Sequence, residues 1–119
     1  TDGVTAFVTR LYNICLDRTP DAGGLSDWTN SLWNHEKSGG SVAFGFIFSQ
    51  EFINKNLSDE DYVEYLYRAF FDRNADAGGK ADWVNRMNNQ GYSRVDVFDG
   101  FVGSAEFNTL CKKYGIVRG

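Results

Sequence analysis

The sequence repeats itself. Displaced by 55 residues, Phe7–Phe52 lies on Tyr62–Phe107 without a gap, and 20 of the 46 paired positions are identical. The densest stretch, D-R-x-x-D-A-G-G-x-x-D-W, occupies Asp17–Trp28 and again Asp72–Trp83. A second, G-F-x-x-S-x-E-F, occupies Gly45–Phe52 and Gly100–Phe107. Self-similarity of this extent marks a tandem duplication, in which each unit repeats one supersecondary arrangement. It predicts a single domain over residues 1–119 built of two units, 3–57 and 58–115.

Periodicity makes both units helical. Tyr62, Val63, Leu66, Tyr67, Phe70 and Phe71 form one stripe at a 3.6-residue repeat, and Phe7, Val8, Leu11, Tyr12, Cys15 and Leu16 form its twin. Ser58, followed by Asp59, Glu60 and Asp61, supplies a hydroxyl cap and acids against the positive end of a helix. The next helices start at Asp21 and Asp76, whose carboxylates cap free N–H groups, and carry Trp28 with Leu32 and Trp83 with Met87. Ser93 and Asp96 have the spacing of a capping box, opening a helix with Val97, Phe98, Phe101 and Val102 inward. Gly45 and Gly100 fall inside that third helix of each unit, where glycine costs about 1 kcal/mol, so a close neighbour is expected there. Ser49 and Ser104 each cap a short fourth helix. No stretch alternates with period 2 for long enough to argue a strand. The expected fold is all-α, about eight helices in two tandem pseudo-symmetric four-helix units.

Composition narrows the function. The chain is 42% apolar with 3 Trp, 6 Tyr and 10 Phe, enough for a sizeable core and unlike a disordered segment. A net charge of −4 argues against a nucleic-acid surface, which needs clustered Lys and Arg. No apolar run approaches the roughly 20 residues that span a bilayer, so no membrane insertion is expected. No basic, then apolar, leader is present, which places any signal peptide outside these residues.

The two repeated blocks resemble the bacterial domain-of-unknown-function family 4214, itself distantly similar to the helical domains of phycobilisome linker polypeptides. The matching residues are Leu11, Tyr12, Arg18, Pro20, Asp21, Ala22, Gly23, Gly24, Leu25 and Trp28, with the second block after them. The second copy departs from the pattern with Ala75 for the proline and Lys80 for the leucine, which predicts a looser turn there. The resemblance implies a helical module frequent in large secreted or surface-attached bacterial proteins, sometimes beside calcium-binding repeats, and it does not imply an enzyme. The expected location is extracellular or at the cell surface, with other domains of the same polypeptide as neighbours.

Three groups of residues compete as functional sites. Asp72, Asn74 and Asp76 stand at positions 1, 3 and 5 of an inter-helix turn, with Asp82 at position 11; the first copy offers Asp17, Thr19, Asp21 and Asp27. A D-x-N-x-D loop is how many Ca²⁺ sites begin, but Ala77 and Trp83 occupy the positions of the usual glycine and bidentate acid. The same residues also read as N-caps and ion-pair partners, with the glycines letting the turn pass beneath a neighbouring helix. Apart from that calcium possibility no cofactor is expected. The second group breaks the duplication: Trp33, whose twin is Asn88, opens the polar stretch that holds His35, Glu36 and Lys37, and Tyr92 lies on the matching loop. An aromatic anchor with a polar rim is suited to a glycan or a surface protein. The third group is catalytic and lacks parts. His35 is the single histidine, Cys15 sits in the core stripe, and no nucleophile elbow, phosphate loop or zinc-spaced cluster is present. Cys15 and Cys111 read equally as one disulfide or as two buried thiols.

Overall fold

The computed structural model describes residues 2–119 and contains eight helices and, among those residues, no strand. They are α1 (Asp2–Leu16), α2 (Ala22–Trp33), α3 (Gly39–Ile47), α4 (Gln50–Ile53), α5 (Asp59–Phe71), α6 (Ala77–Asn89), α7 (Arg94–Val102) and α8 (Ala105–Lys113). None is long and apolar enough to cross a membrane.

The helix starts follow the cap chemistry of the sequence. Asp21 and Asp76 accept from the N–H of Gly24 and Gly79, Ser49 and Ser104 from Phe52 and Phe107, and Ser58 from Asp61. Ser93 and Asp96 close a reciprocal capping box. Each such cap satisfies an N–H that a helix leaves unpaired and contributes about 1 kcal/mol.

α1 and α5 are packed against each other at the centre; α1 also touches α2, α3 and α4, while α5 touches α6, α7 and α8. Both predicted stripes supply the core between them: Phe7, Val8, Leu11, Cys15, Tyr62, Val63, Leu66 and Phe70 are all essentially inaccessible to water. Arg10 crosses from α1 to the end of α5, donating to the carbonyls of Ala69 at 2.7 Å and Arg68 at 2.9 Å. A cation at a helix C-terminus is favoured by the dipole and satisfies carbonyls that lack intrahelical partners.

One expectation needs correction. The fourth helices differ in length, α4 having 4 residues and α8 having 9. After Phe107 the chain still has Leu110 and Cys111 to bury, whereas after Phe52 the exposed Ile53 is followed by Asn54, Lys55 and Asn56, the last at φ +51°. Of the two readings left open for the cysteines, the structure has the free thiols. Both cysteines are free and buried, and burial pushes each thiol up to about 12.

Candidate functional site

The repeated motif condenses into one contact set, made twice. Arg18 grips Glu51 through two hydrogen bonds of 2.9 and 3.1 Å, and Arg73 grips Glu106 at the same two distances. Each guanidinium also reaches the capping carboxylate, Asp21 or Asp76, and stacks over Tyr12 or Tyr67 at 5.0 and 5.1 Å. Those tyrosine hydroxyls lie where a Cβ at Gly24 or Gly79 would have to be, which explains the second glycine of each Gly-Gly pair. Gly23 and Gly78 face open space, so the expected passage beneath a helix does not account for them. Trp28 and Trp83 are half-buried, and each lays its ring edge on the glycine of the third helix: a Cβ at Gly45 or Gly100 would come within 2.6 Å of the ring. The motif is thus a clasp that ties the α1–α2 turn to α3 and α4, and the α5–α6 turn to α7 and α8.

Electrostatics matches this reading. The Gly24 N–H and Arg18 hold the Asp21 carboxyl below the usual carboxylate range, and the Gly79 N–H and Arg73 do the same for Asp76. Arg18 likewise lowers Glu51. These ion pairs are exposed, and such pairs contribute little energy individually; their two-pronged geometry fixes direction.

The residues proposed as calcium ligands are dispersed among these duties. Asp72 pairs with Arg10, Asp82 with Arg86 at 3.0 Å and Asp17 with Lys55, while the Asn74 carbonyl accepts from Arg73. Asp27 is exposed. Among the described residues no group of three His, Cys, Asp or Glu is placed to hold a metal ion. Nor is the second turn looser for lacking the proline. Ala75 donates the N–H that a proline would lack to Glu64 at 3.0 Å, and Lys80, in place of the leucine, reaches the other oxygen of that carboxylate at 3.2 Å. Burial pushes the Glu64 carboxyl up, but these two donors and Arg68 outweigh it and leave it lowered.

The stretch after α2 is built differently from its counterpart. Trp33 is the last residue of α2 and 55% exposed. Behind it the helix ends in a Schellman turn: the N–H of His35 reaches Leu32 O at 3.2 Å and that of Glu36 reaches Ser31 O at 2.9 Å. The residue at the bend must be left-handed, and here it is His35 at φ +60°, whereas α6 is followed by Gly91 at φ +74°. A non-glycine residue there costs about 1 kcal/mol. His35→Gly is therefore expected to raise the melting temperature by a few degrees in thermal unfolding; a fall would show that the imidazole contributes more than its backbone costs.

The loop borders two depressions. One, of about 170 Å³, lies between Trp33, Leu32, Val4, His35 and Gly115. The other, of about 330 Å³, is lined by His35, Glu36, Lys37, Ser38, Ser41 and Val117. Trp33, His35, Glu36 and Lys37 thus belong to one corner of the molecule. Tyr92 lines neither depression; its ring sits beside Arg86, 5.8 Å from the guanidinium carbon.

A second exposed aromatic feature lies outside the repeated motifs. Phe44 and Phe48 pack on one another at 4.6 Å and both meet Phe98 edge-on, forming an aromatic ridge with Phe44 46% exposed. The twins of Phe44 and Phe48 are Asp99 and Gly103, so the signal was available as a second pair of aromatics outside the duplication.

These features define an all-α module whose repeated residues hold its own turns and whose exposed aromatics lie outside the repeat. The chain belongs to the family described as Domain of unknown function (DUF4214), whose model matches residues 3–56 and again residues 43–111. No curated protein and no solved structure matches it.

Proposed function

We propose that this chain is a non-catalytic recognition module of a larger extracellular or cell-surface bacterial protein, and that it binds a glycan or a surface protein through the corner headed by Trp33. The observation that carries this reading is the exposure of Trp33 at the edge of one depression, with His35, which lines both, leading to Glu36 and Lys37 in the other. An indole is large, rigid and amphipathic, so its burial gains much contact area for little entropy. The polar neighbours supply the rim that orients a partner. The clasp residues are committed to intramolecular bonds and take no part in this role.

The test separates binding from stability. Wild-type protein is screened on a glycan array and on intact bacterial cell surfaces, beside Trp33→Ala. The variant is expected to lose binding by about thirty-fold or more, the loss of a hot-spot residue, with its melting temperature within about 1 °C of wild type, as for a surface change. A large fall in melting temperature with binding retained would refute the proposal.

A further inference from the structure

The aromatic ridge borders another depression, of about 440 Å³, between α3 and α7. That volume falls within the range of small-ligand clefts, about 300–1,000 Å³. Phe44, Phe98 and Val102 supply its apolar lining. The Phe44 ring is held by Phe48 at 4.6 Å and by Phe98, edge-on, at 5.5 Å, so its exposed surface is presented in one orientation. The rest of the lining is polar and includes Lys37, Ser41 and Arg118, with no Asp or Glu side chain among it.

The charge of this depression runs against that of the chain. The net charge is −4, and Arg10, Arg18, Arg73, Arg86 and Arg94 are each paired with a carboxylate. Among the described residues no carboxylate pairs with Lys37 or Arg118. Arg118 is nevertheless fixed. Its Nη1 donates to the carbonyls of Gly103 at 3.3 Å and Ser104 at 3.4 Å, and its own carbonyl accepts from Gly40 at 2.9 Å. A guanidinium carries five N–H donors in a rigid fork. Among the described residues the Nε and Nη2 of Arg118 have no hydrogen-bond partner, which leaves them for a planar anion. The duplication shows that this character is particular to the first unit. Lys37, Ser41 and Phe44 correspond to Tyr92, Asp96 and Asp99, so the same places in the second unit hold two carboxylates.

We propose that this depression binds a uronate ring of an acidic glycan. A sugar ring presents a face of C–H groups that packs on an aromatic ring such as Phe44. Its carboxylate is planar and matches the Arg118 fork, while Lys37 adds a point charge on a flexible stem. The Ser41 hydroxyl can donate to or accept from the sugar hydroxyls. An acidic peptide shares the carboxylate but brings no ring face to Phe44. The depression shares Lys37, Ser38 and Ser41 with the one that begins at His35. The inference therefore rests on the glycan reading of the Trp33 corner and adds to it the charge of the sugar.

Tetramers of galacturonate, glucuronate, mannuronate and guluronate, each also in its methyl-esterified form, are titrated into the isotopically labelled whole chain and followed by NMR. Hexaglutamate is titrated beside them. At least one uronate is expected to bind saturably, with shifts at the amides of Lys37, Ser41 and Phe44, and its ester about ten-fold more weakly. Binding should weaken several-fold between about 0.05 and 0.5 M NaCl, because charges at a surface are screened. Lys37→Gln, a change at an exposed side chain that leaves the melting temperature unaltered, is expected to weaken binding about three- to five-fold. Arg118→Gln is expected to weaken it about ten-fold or more. The proposal is overturned if no uronate binds, if the ester or hexaglutamate binds as tightly as the uronate, or if Lys37→Gln binds undiminished. In each of these cases a neutral glycan bound by the wild type and lost on Trp33→Ala would leave the Trp33 reading standing while this one falls.

Discussion

Replacing Phe70 by alanine is expected to destabilise the protein by about 3–5 kcal/mol, the cost of emptying a buried aromatic site. Phe70 is inaccessible to water, and its ring meets those of Phe107 at 4.6 Å, Phe98 at 5.5 Å and Phe101 at 6.1 Å. It therefore joins α5 to both α7 and α8, and no small shift can close the hole left by its removal. Against a total stability of about 5–15 kcal/mol for such a domain, the loss should lower the melting temperature by roughly 10 °C or more. Its twin is Cys15, equally buried but far smaller; Cys15→Ala should cost distinctly less. Equal effects at the two positions in thermal unfolding would contradict this division of the core.

Gly100→Val is expected to cost about 2–3 kcal/mol, the upper part of the overpacking range. Helix propensity alone predicts the opposite sign, because glycine is the poorer helix former. The difference arises from Trp83, whose ring would lie 2.6 Å from the new Cβ and which is held from behind by Phe101 at 5.2 Å. Trp83→Leu in the same chain should recover much of the loss, since it empties the space the valine needs. Chemical denaturation of the two single variants and the double variant measures that coupling. A stabilised Gly100→Val would show that the ring moves aside freely and that the clasp is loose.

The duplication made much of this fold legible, because a cap, a turn glycine and an apolar stripe are each local, and each occurred twice at one spacing. Asp21 and Asp76 were recognisable as caps from their place before an apolar run, and both accept the expected N–H. What the sequence concealed lay between copies or across distance. The Glu64 carboxylate compensates for the missing proline from another helix, eleven residues before Ala75, and its twin Thr9 gives no hint of it. The C-terminal segment, whose Val117 and Arg118 carbonyls accept from Gly39 and Gly40 at the start of α3, was hidden because it lies beyond the duplicated residues. The Asp-rich turns were ambiguous for a simple reason: aspartates at alternate positions suit a cation, a helix start and an arginine equally well, and the sequence does not show where Arg10, Arg73 and Arg86 fall beside them. Trp33 stood out for being unpaired, and its exposure accords with that.

The central claim is that the repeated residues build the module and that recognition belongs to residues outside the repeat. Thermal unfolding of the wild-type chain in excess Ca²⁺ and in EDTA tests it most directly, because any ion bound to the folded state alone must raise its stability by mass action. The account predicts superimposable melting curves, the carboxylates of both turns being already bonded to backbone N–H groups and arginines. A saturable rise in melting temperature with Ca²⁺, abolished by Asp72→Ala, would contradict it and make the repeated turns ion sites.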